Sequence, residues 1–290
     1  MPSSVEPVPG DWLEVELEAE PDLVSELDVI LTRSDLGGWV VEAEEPTLKW
    51  VFYLPRESGW QERLGTLGVS LREAGARMAV RRSVADEDWA ECWKQFYHPR
   101  HIGKTLLICP SWECYEPAPE EKMLILDPGM AFGTGYHAST ALCMELLEEY
   151  LLVASAHSVL DVGIGSGILS ISALLLGADE VLGVDHDPVA VRVARENLEL
   201  NALGERAQVR QFEGVPDGTF DLVLANLVAQ VLVDLADDLA SAVARGGRLV
   251  AGGIVRERRD EVVRALQLRG LELEAELERE DWVGLRLRRP

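Results

Sequence analysis

One stretch limits the possible folds more than any other: Ser158-Val159-Leu160-Asp161-Val162-Gly163-Ile164-Gly165-Ser166-Gly167-Ile168-Leu169-Ser170. Its apolar opening reads as a buried parallel strand. Glycine then stands at every second position before a helical pattern resumes through Leu176. Glycines at a strand-to-helix turn let the backbone approach a ligand, and the helix behind them offers unpaired N–H groups. About 20 residues on, a second apolar strand, Val181 to Val184, ends in Asp185, well placed to hold a ribose diol. These features describe a nucleoside-binding half-sheet.

The spacing narrows the ligand. A dinucleotide fingerprint runs G-x-G-x-x-G, whereas here the order is Asp161-x-Gly163-x-Gly165-x-Gly167. That form resembles the glycine loop of class I S-adenosylmethionine methyltransferases. A sulfonium cofactor has no pyrophosphate to seat on the helix N-terminus, and it tolerates an acid such as Asp161 nearby. A nicotinamide oxidoreductase and a tight turn without a ligand are the competing readings.

The rest of the chain fits a second, smaller domain ahead of this one. Asp11 to Glu18 alternates, with Leu13, Val15 and Leu17 on one face, and predicts a half-buried strand. A helical segment from Pro21 to Ile30 follows. Then come strands at Trp39–Val41 and Leu48–Leu54, a helix from Glu62 to Ala74, and a strand from Met78 to Val84. The order β-α-β-β-α-β is the ferredoxin-like split motif. Residues 1–84 are read as a substrate-recognition domain, 85–105 as a connector and 106–290 as the cofactor-binding domain. Trp89, Trp93 and Phe96 share one face of the connector helix. Lys104 to Cys109 is expected to be a strand. His98 and His101 have no third ligand nearby, and no metal is expected.

The loop Leu126-Asp127-Pro128-Gly129-Met130-Ala131-Phe132-Gly133-Thr134-Gly135-Tyr136-His137-Ala138-Ser139-Thr140 is the second informative stretch. It is rich in small residues and can lie over a bound cofactor. Ser139 or Thr140 is expected to cap a helix from Leu142 to Leu151. Beyond the glycine turn, the pattern predicts a helix from Pro188 to Asn201 and strands at Ala207–Phe212 and Phe220–Asn226. A helix from Leu227 to Ala244, a strand from Arg248 to Ala251, a helix from Arg258 to Leu268 and a closing antiparallel pair complete it. Asn226 falls at a strand's carboxyl end, where open α/β sheets hold ligands. The fold class is α/β, a Rossmann-like methyltransferase with a mostly parallel seven-stranded sheet and one reversed strand.

Taken together, these residues resemble the family of methyltransferases that modify the stalk-base protein of the large ribosomal subunit (protein L-eleven). The likeness rests on Asp127 to Thr140, on Asp161 to Leu169, on Gly183 to Pro188, on Asn226 to Ala229 and on the strand of Trp282-Val283. Tyr136, Ala138 and Ser139 depart from its usual loop. The resemblance implies S-adenosyl-L-methionine as cofactor, held by Phe132, Gly133, Thr140, Gly163, Gly165, Asp185 and Asn226. Asn226 is expected to orient the acceptor amine, and His137 either to accept or relay a proton or to structure the loop. The implied reaction is methylation, up to trimethylation, of lysine side chains, of the N-terminal amine, or of both, in L-eleven. Another protein or a small amine is the alternative substrate.

The residues after Asn226 bear on the acceptor. Methyltransferases for planar amino groups follow the Asn with Pro-Pro and an aromatic that stacks on the plane; here Leu227-Val228-Ala229 follows, which suits an sp³ amine. The net charge of −24 argues against a sequence-blind grip on nucleic acid and fits a basic protein partner. No apolar run approaches the ~20 residues of a membrane span. Four cysteines without a C-x-x-C pair suit a reducing cytoplasm. A cytoplasmic monomer is expected.

Overall fold

The computed structural model describes residues 12–20, 39–44, 47–55, 59–84, 97–127 and 137–290, with single positions at 23, 27, 30, 31, 34 and 135. The connector aromatics Trp89, Trp93 and Phe96 lie outside the described residues, as do Phe132 and Gly133. The chain divides into two compact units, Met1–Tyr97 and His98–Pro290.

In the first unit β1 (Trp12–Ala19) alternates as its sequence requires, burying Leu13, Val15, Leu17 and Ala19. It pairs antiparallel with β3 (Thr47–Pro55) and β4 (Arg77–Val84), and β3 pairs antiparallel with β2 (Trp39–Glu44). The spatial order β2-β3-β1-β4 is that of the ferredoxin-like split motif. Leu27 and Leu31, one helical turn apart, are buried with Trp50, Phe52 and Leu71 in a common core. In α1 (Trp60–Glu73) a side chain on Gly68 would meet Met78 Cε at 2.8 Å, so this glycine lets β4 pack closely.

The second unit opens with a three-stranded sheet of β5 (Arg100–Ile102), β6 (Leu106–Cys109) and β7 (Lys122–Ile125). The strand expected from Lys104 begins two residues later. Gly103 takes a left-handed turn, and the buried carboxylate of Glu148 accepts from Lys104 N (2.7 Å), Thr105 N (2.6 Å) and Thr105 Oγ1 (2.6 Å). Glu148 belongs to α2 (Ala138–Leu151).

The remaining elements are β8 (Ser158–Val162), α3 (Ile168–Leu175), β9 (Glu180–Asp185), α4 (Pro188–Leu200), β10 (Ala207–Gln211) and β11 (Phe220–Asn226). After them come α5 (Ala229–Asp234), α6 (Ala236–Ala242), β12 (Val243–Val255), α7 (Arg259–Gln267), β13 (Glu272–Arg279) and β14 (Trp282–Arg288). The seven strands lie in the order β10-β9-β8-β11-β12-β14-β13, with β14 antiparallel to both neighbours. Both faces are covered. Val159, Leu222 and Leu224 join the core on one side, while Leu160, Val162, Val223 and Ala225 join that on the other. Burial on both faces is why β8 and β11 read as apolar runs rather than alternating ones.

Three expectations need correction. The helix expected from Leu227 to Ala244 is two helices, because Leu235 leaves helical geometry (φ −92, ψ 7) and Val243 is already extended opposite Phe220. The strand expected to end at Ala251 runs on to Val255 through a bulge between Ala251 and Ile254. And α2 starts at Ala138, so Ser139 and Thr140 lie inside it; the cap is His137, whose ring accepts from Ser139 N at 3.3 Å. Among the described residues no helix is long and apolar enough to cross a membrane.

The three bonds converging on Glu148 carry a prediction. Glu148→Ala removes the acceptor of two backbone donors and a hydroxyl at the part-buried Lys104–Thr105 turn and should cost about 1–3 kcal/mol, read as a lower urea midpoint. A loss below about 1 kcal/mol would show that water replaces the carboxylate there.

Candidate functional site

The register of the parallel strands brings four residues into one row. Asp161 pairs with Gly183 on β9 and with Leu224 on β11. Counting on two residues sets Gly163 level with Asp185 on one side and Asn226 on the other, and Asn226 pairs with Gly252 on β12. Asp185 and Asn226 end β9 and β11 and Gly163 follows β8, so the row lies at the carboxyl ends of these strands, while β12 runs three residues beyond Gly252. Strand order reverses between β8 and β11, at the place where open α/β sheets bind ligands.

Backbone bonds hold the glycine turn. Gly163 N and Ile164 N both donate to Val184 O, at 2.9 and 3.0 Å, and Asn197 Nδ2 donates to Ser166 O at 2.8 Å. Gly163, Gly165 and Gly167 all have positive φ, which side-chain-bearing residues rarely adopt. Asp185 is buried at the end of β9. Its Oδ2 accepts from Gly165 N (3.1 Å) and its Oδ1 from Asp187 N (3.0 Å), so the carboxylate is aimed by main chain. Two such bonds leave acceptor capacity on both oxygens. Asp187 in turn caps α4, accepting from Val189 N at 2.8 Å with Pro188 in the first turn.

Asn226 meets Thr140 across the row. Its Nδ2 donates to Thr140 Oγ1 at 3.2 Å, and Thr140 is fully buried in the first turn of α2. Asn226 Oδ1 is buried and has no hydrogen-bond partner among the described residues. A buried carbonyl oxygen without a donor is costly unless a ligand supplies one.

His137 lies beside this pair. Its Nδ1 is 2.8 Å from Ser139 Oγ, and its ring meets Trp282 edge-on with centroids 4.6 Å apart. Burial pushes its pKa down to about 4. The structure thus brings together Thr140, Gly163, Gly165, Asp185 and Asn226, with His137 at the start of the helix that carries Thr140. Phe132 and Gly133 lie outside the described residues. Among the described residues no group of three or more His, Cys, Asp or Glu is arranged for a metal. His98 and His101 face separate carboxylates, Glu113 at 3.1 Å and Glu121 at 2.6 Å.

Beneath the turn, Asp161 is 1 % exposed and accepts from Ser170 Oγ at 2.6 Å. Burial pushes its pKa up to about 7; the Asp185 charge adds to this and the Ser170 bond opposes it. The motif pattern singles out Asp161 but not Ser170. Its signal is the hydroxyl at an inward-facing position of α3, nine residues after the acid.

Residues 60–290 match the family described as "Ribosomal protein L11 methyltransferase (PrmA)". A ribosomal protein L11 methyltransferase of Chloroflexus aurantiacus is 39% identical over an alignment spanning 96% of this chain and 98% of the relative. One of Symbiobacterium thermophilum is 40% identical, covering 88% of this chain and 81% of its own length. The crystal structure of a ribosomal protein L11 methylase from Lactobacillus delbrueckii subsp. bulgaricus aligns with a TM-score of 0.62 at 34% identity, covering 67% of this chain and 99% of that one.

The Asp161 environment predicts a pH effect on folding. Its folded pKa lies above the unfolded value, so the stability it contributes is fully present below about pH 4 and is lost as pH rises through about 7. Asp161→Asn removes that loss. Without cofactor, its stability relative to the parent should improve by on the order of 2 kcal/mol between pH 5 and pH 8. Thermal melts at the two pH values test this, and a difference independent of pH would contradict it.

Proposed function

Because the chain belongs to the ribosomal protein L11 methyltransferase family, we propose that it transfers methyl groups from S-adenosylmethionine to amines of protein L11. The acceptors are lysine side chains, the N-terminal amine, or both, carried as far as trimethylation. The observation that carries this reading is Asn226 Oδ1, a buried acceptor lacking a donor, in the same row as the glycine turn and Asp185.

The residues present suit the cofactor. The spare lone pairs of Asp185 match a ribose diol, and the carboxyl groups of Asp161 and Asp185 suit a cation. Phe132, Gly133, Thr140, Gly163, Gly165, Asp185 and Asn226 are the residues proposed to hold it. When bound, S-adenosylmethionine supplies a methyl on cationic sulfur, the N–C bond forming as the S–C bond breaks and the sulfur keeps the electron pair.

The protein's own task is to present a neutral amine in line. For a lysine of pKa ~10.4, neutralisation near pH 7.5 costs about 4 kcal/mol. An enclosed site lowers that pKa by disfavouring the ammonium. Asn226 Oδ1 accepts an amine N–H and so aims the nitrogen lone pair, an advantage of orientation rather than of acid–base chemistry. His137, expected from sequence to take a proton, is neutral at physiological pH and too weak a base to strip an ammonium. Its proposed part is to fix the start of α2, and with it Thr140, against Asn226. Ala229, the third residue after Asn226, is buried and carries no ring where planar-amine enzymes place the stacking aromatic, which favours an sp³ acceptor.

Residues 1–84 are proposed as the recognition module for L11 and 85–105 as its connector. The net charge of −24 would steer a basic substrate while disfavouring nucleic acid. The chain is proposed to work as a monomer in the cytoplasm.

Incubation with methyl-labelled S-adenosylmethionine and purified L11 tests the substrate; label confined to buffer amines would contradict it. Asn226→Ala should lower kcat by on the order of a hundredfold while cofactor affinity by calorimetry falls far less. Unchanged turnover would remove the carboxamide from the mechanism.

A further inference from the structure

Gly252 occupies the end of the row, paired with Asn226 across β11 and β12. The usual reason for glycine does not apply to it. Its backbone lies outside the left-handed region, unlike that of the following Gly253 (φ +74). What Gly252 supplies is space. A Cβ there would stand 2.9 Å from Asn226 Oδ1, 2.3 Å from Cys143 Sγ and 3.3 Å from Ser139 O. Two of these neighbours are side-chain ends that can swing aside, so a methyl would displace them before it broke the sheet.

The surroundings give the amide little other latitude. Thr140 Oγ1 holds the nitrogen end, and Gly252 lies against the oxygen end. On its other side β12 is paired with β14, but the register slips between Ala251 and Ile254, leaving Gly252 and Gly253 out of the β12–β14 pairs. Bulges next to active sites commonly re-aim a side chain or end a pairing. Here the bulge sets a bare Cα against a buried acceptor.

We propose that Gly252 is a positioning residue for methyl transfer: by having no side chain, it fixes where Asn226 Oδ1 points and so sets the alignment of the acceptor amine. This rests on the role given to Asn226 above. Gly252 touches neither the amine nor the cofactor in this account and acts only through the carboxamide.

The prediction is a split between kcat and KM. Gly252→Ala should lower kcat roughly tenfold or more with KM for S-adenosylmethionine changed less than about threefold, since a misplacement near 1 Å costs that much in alignment. Cys143→Ala combined with Gly252→Ala relieves the thiol clash, so the melting temperature should recover while kcat stays low. In an Asn226→Ala background, Gly252→Ala should cause no further loss of kcat. The proposal is overturned if the double variant at 143 and 252 regains normal kcat or fails to fold, since the glycine then serves packing alone. A further loss in the Asn226→Ala background overturns it as well. If Asn226→Ala itself turns over normally, the reading of Asn226 fails first; if Asn226→Ala is crippled but Gly252→Ala is not, this inference alone fails.

Discussion

Parallel pairing with both faces buried leaves the strands of the larger sheet no freedom to slip. A one-residue shift of β11 would move Val223 and Ala225 into the layer of Leu222 and Leu224 and exchange two complete cores. The positions of Asp185, Gly163, Asn226 and Gly252 follow from that constraint, because the pairing of β8 with β9 and β11, and of β11 with β12, fixes which residues stand level with one another. The site is therefore set by the core, and its residues need no long-range contacts of their own to find one another.

The row also explains the electrostatics. Two carboxyl groups stand within it or just beneath it, Asp185 gripped by backbone N–H groups and Asp161 by one hydroxyl in the interior. Main-chain donors stabilise a charge; a single hydroxyl in an apolar surround stabilises it poorly. The chain thus aims one carboxyl group by main chain and keeps another, Asp161, whose charge responds to its surroundings.

The glycine turn, the acid after β9 and the Asn ending β11 were legible in the sequence because each is a local pattern: a run of small residues, a strand of known length, a terminal polar group. So was the succession of strands and helices with one reversed strand, since alternating apolar runs and helical spacing leave few topologies. The beginning of α2 was not, because a histidine cap is rare and Ser139 and Thr140 are better cap formers by propensity; burial of both side chains overrode it. The break at Leu235 and the strand running to Val255 escaped for a similar reason. Leu232, Ala236 and Leu239 keep helical spacing across the break, and the Gly252-Gly253 pair reads as a turn until the β14 pairing shows it to be a bulge.

The late insertion of β14 has a consequence for biosynthesis. Every other strand of the sheet leaves the ribosome before it, yet β14 lies between β12 and β13, and its Trp282 stands against the ring of His137. On a nascent chain the flank of β12 stays open and the helix cap beside Asn226 lacks its aromatic wall. The aromatic wall beside that cap therefore forms only once β14 pairs with β12, and a chain cut short of β14 would carry the glycine turn without it.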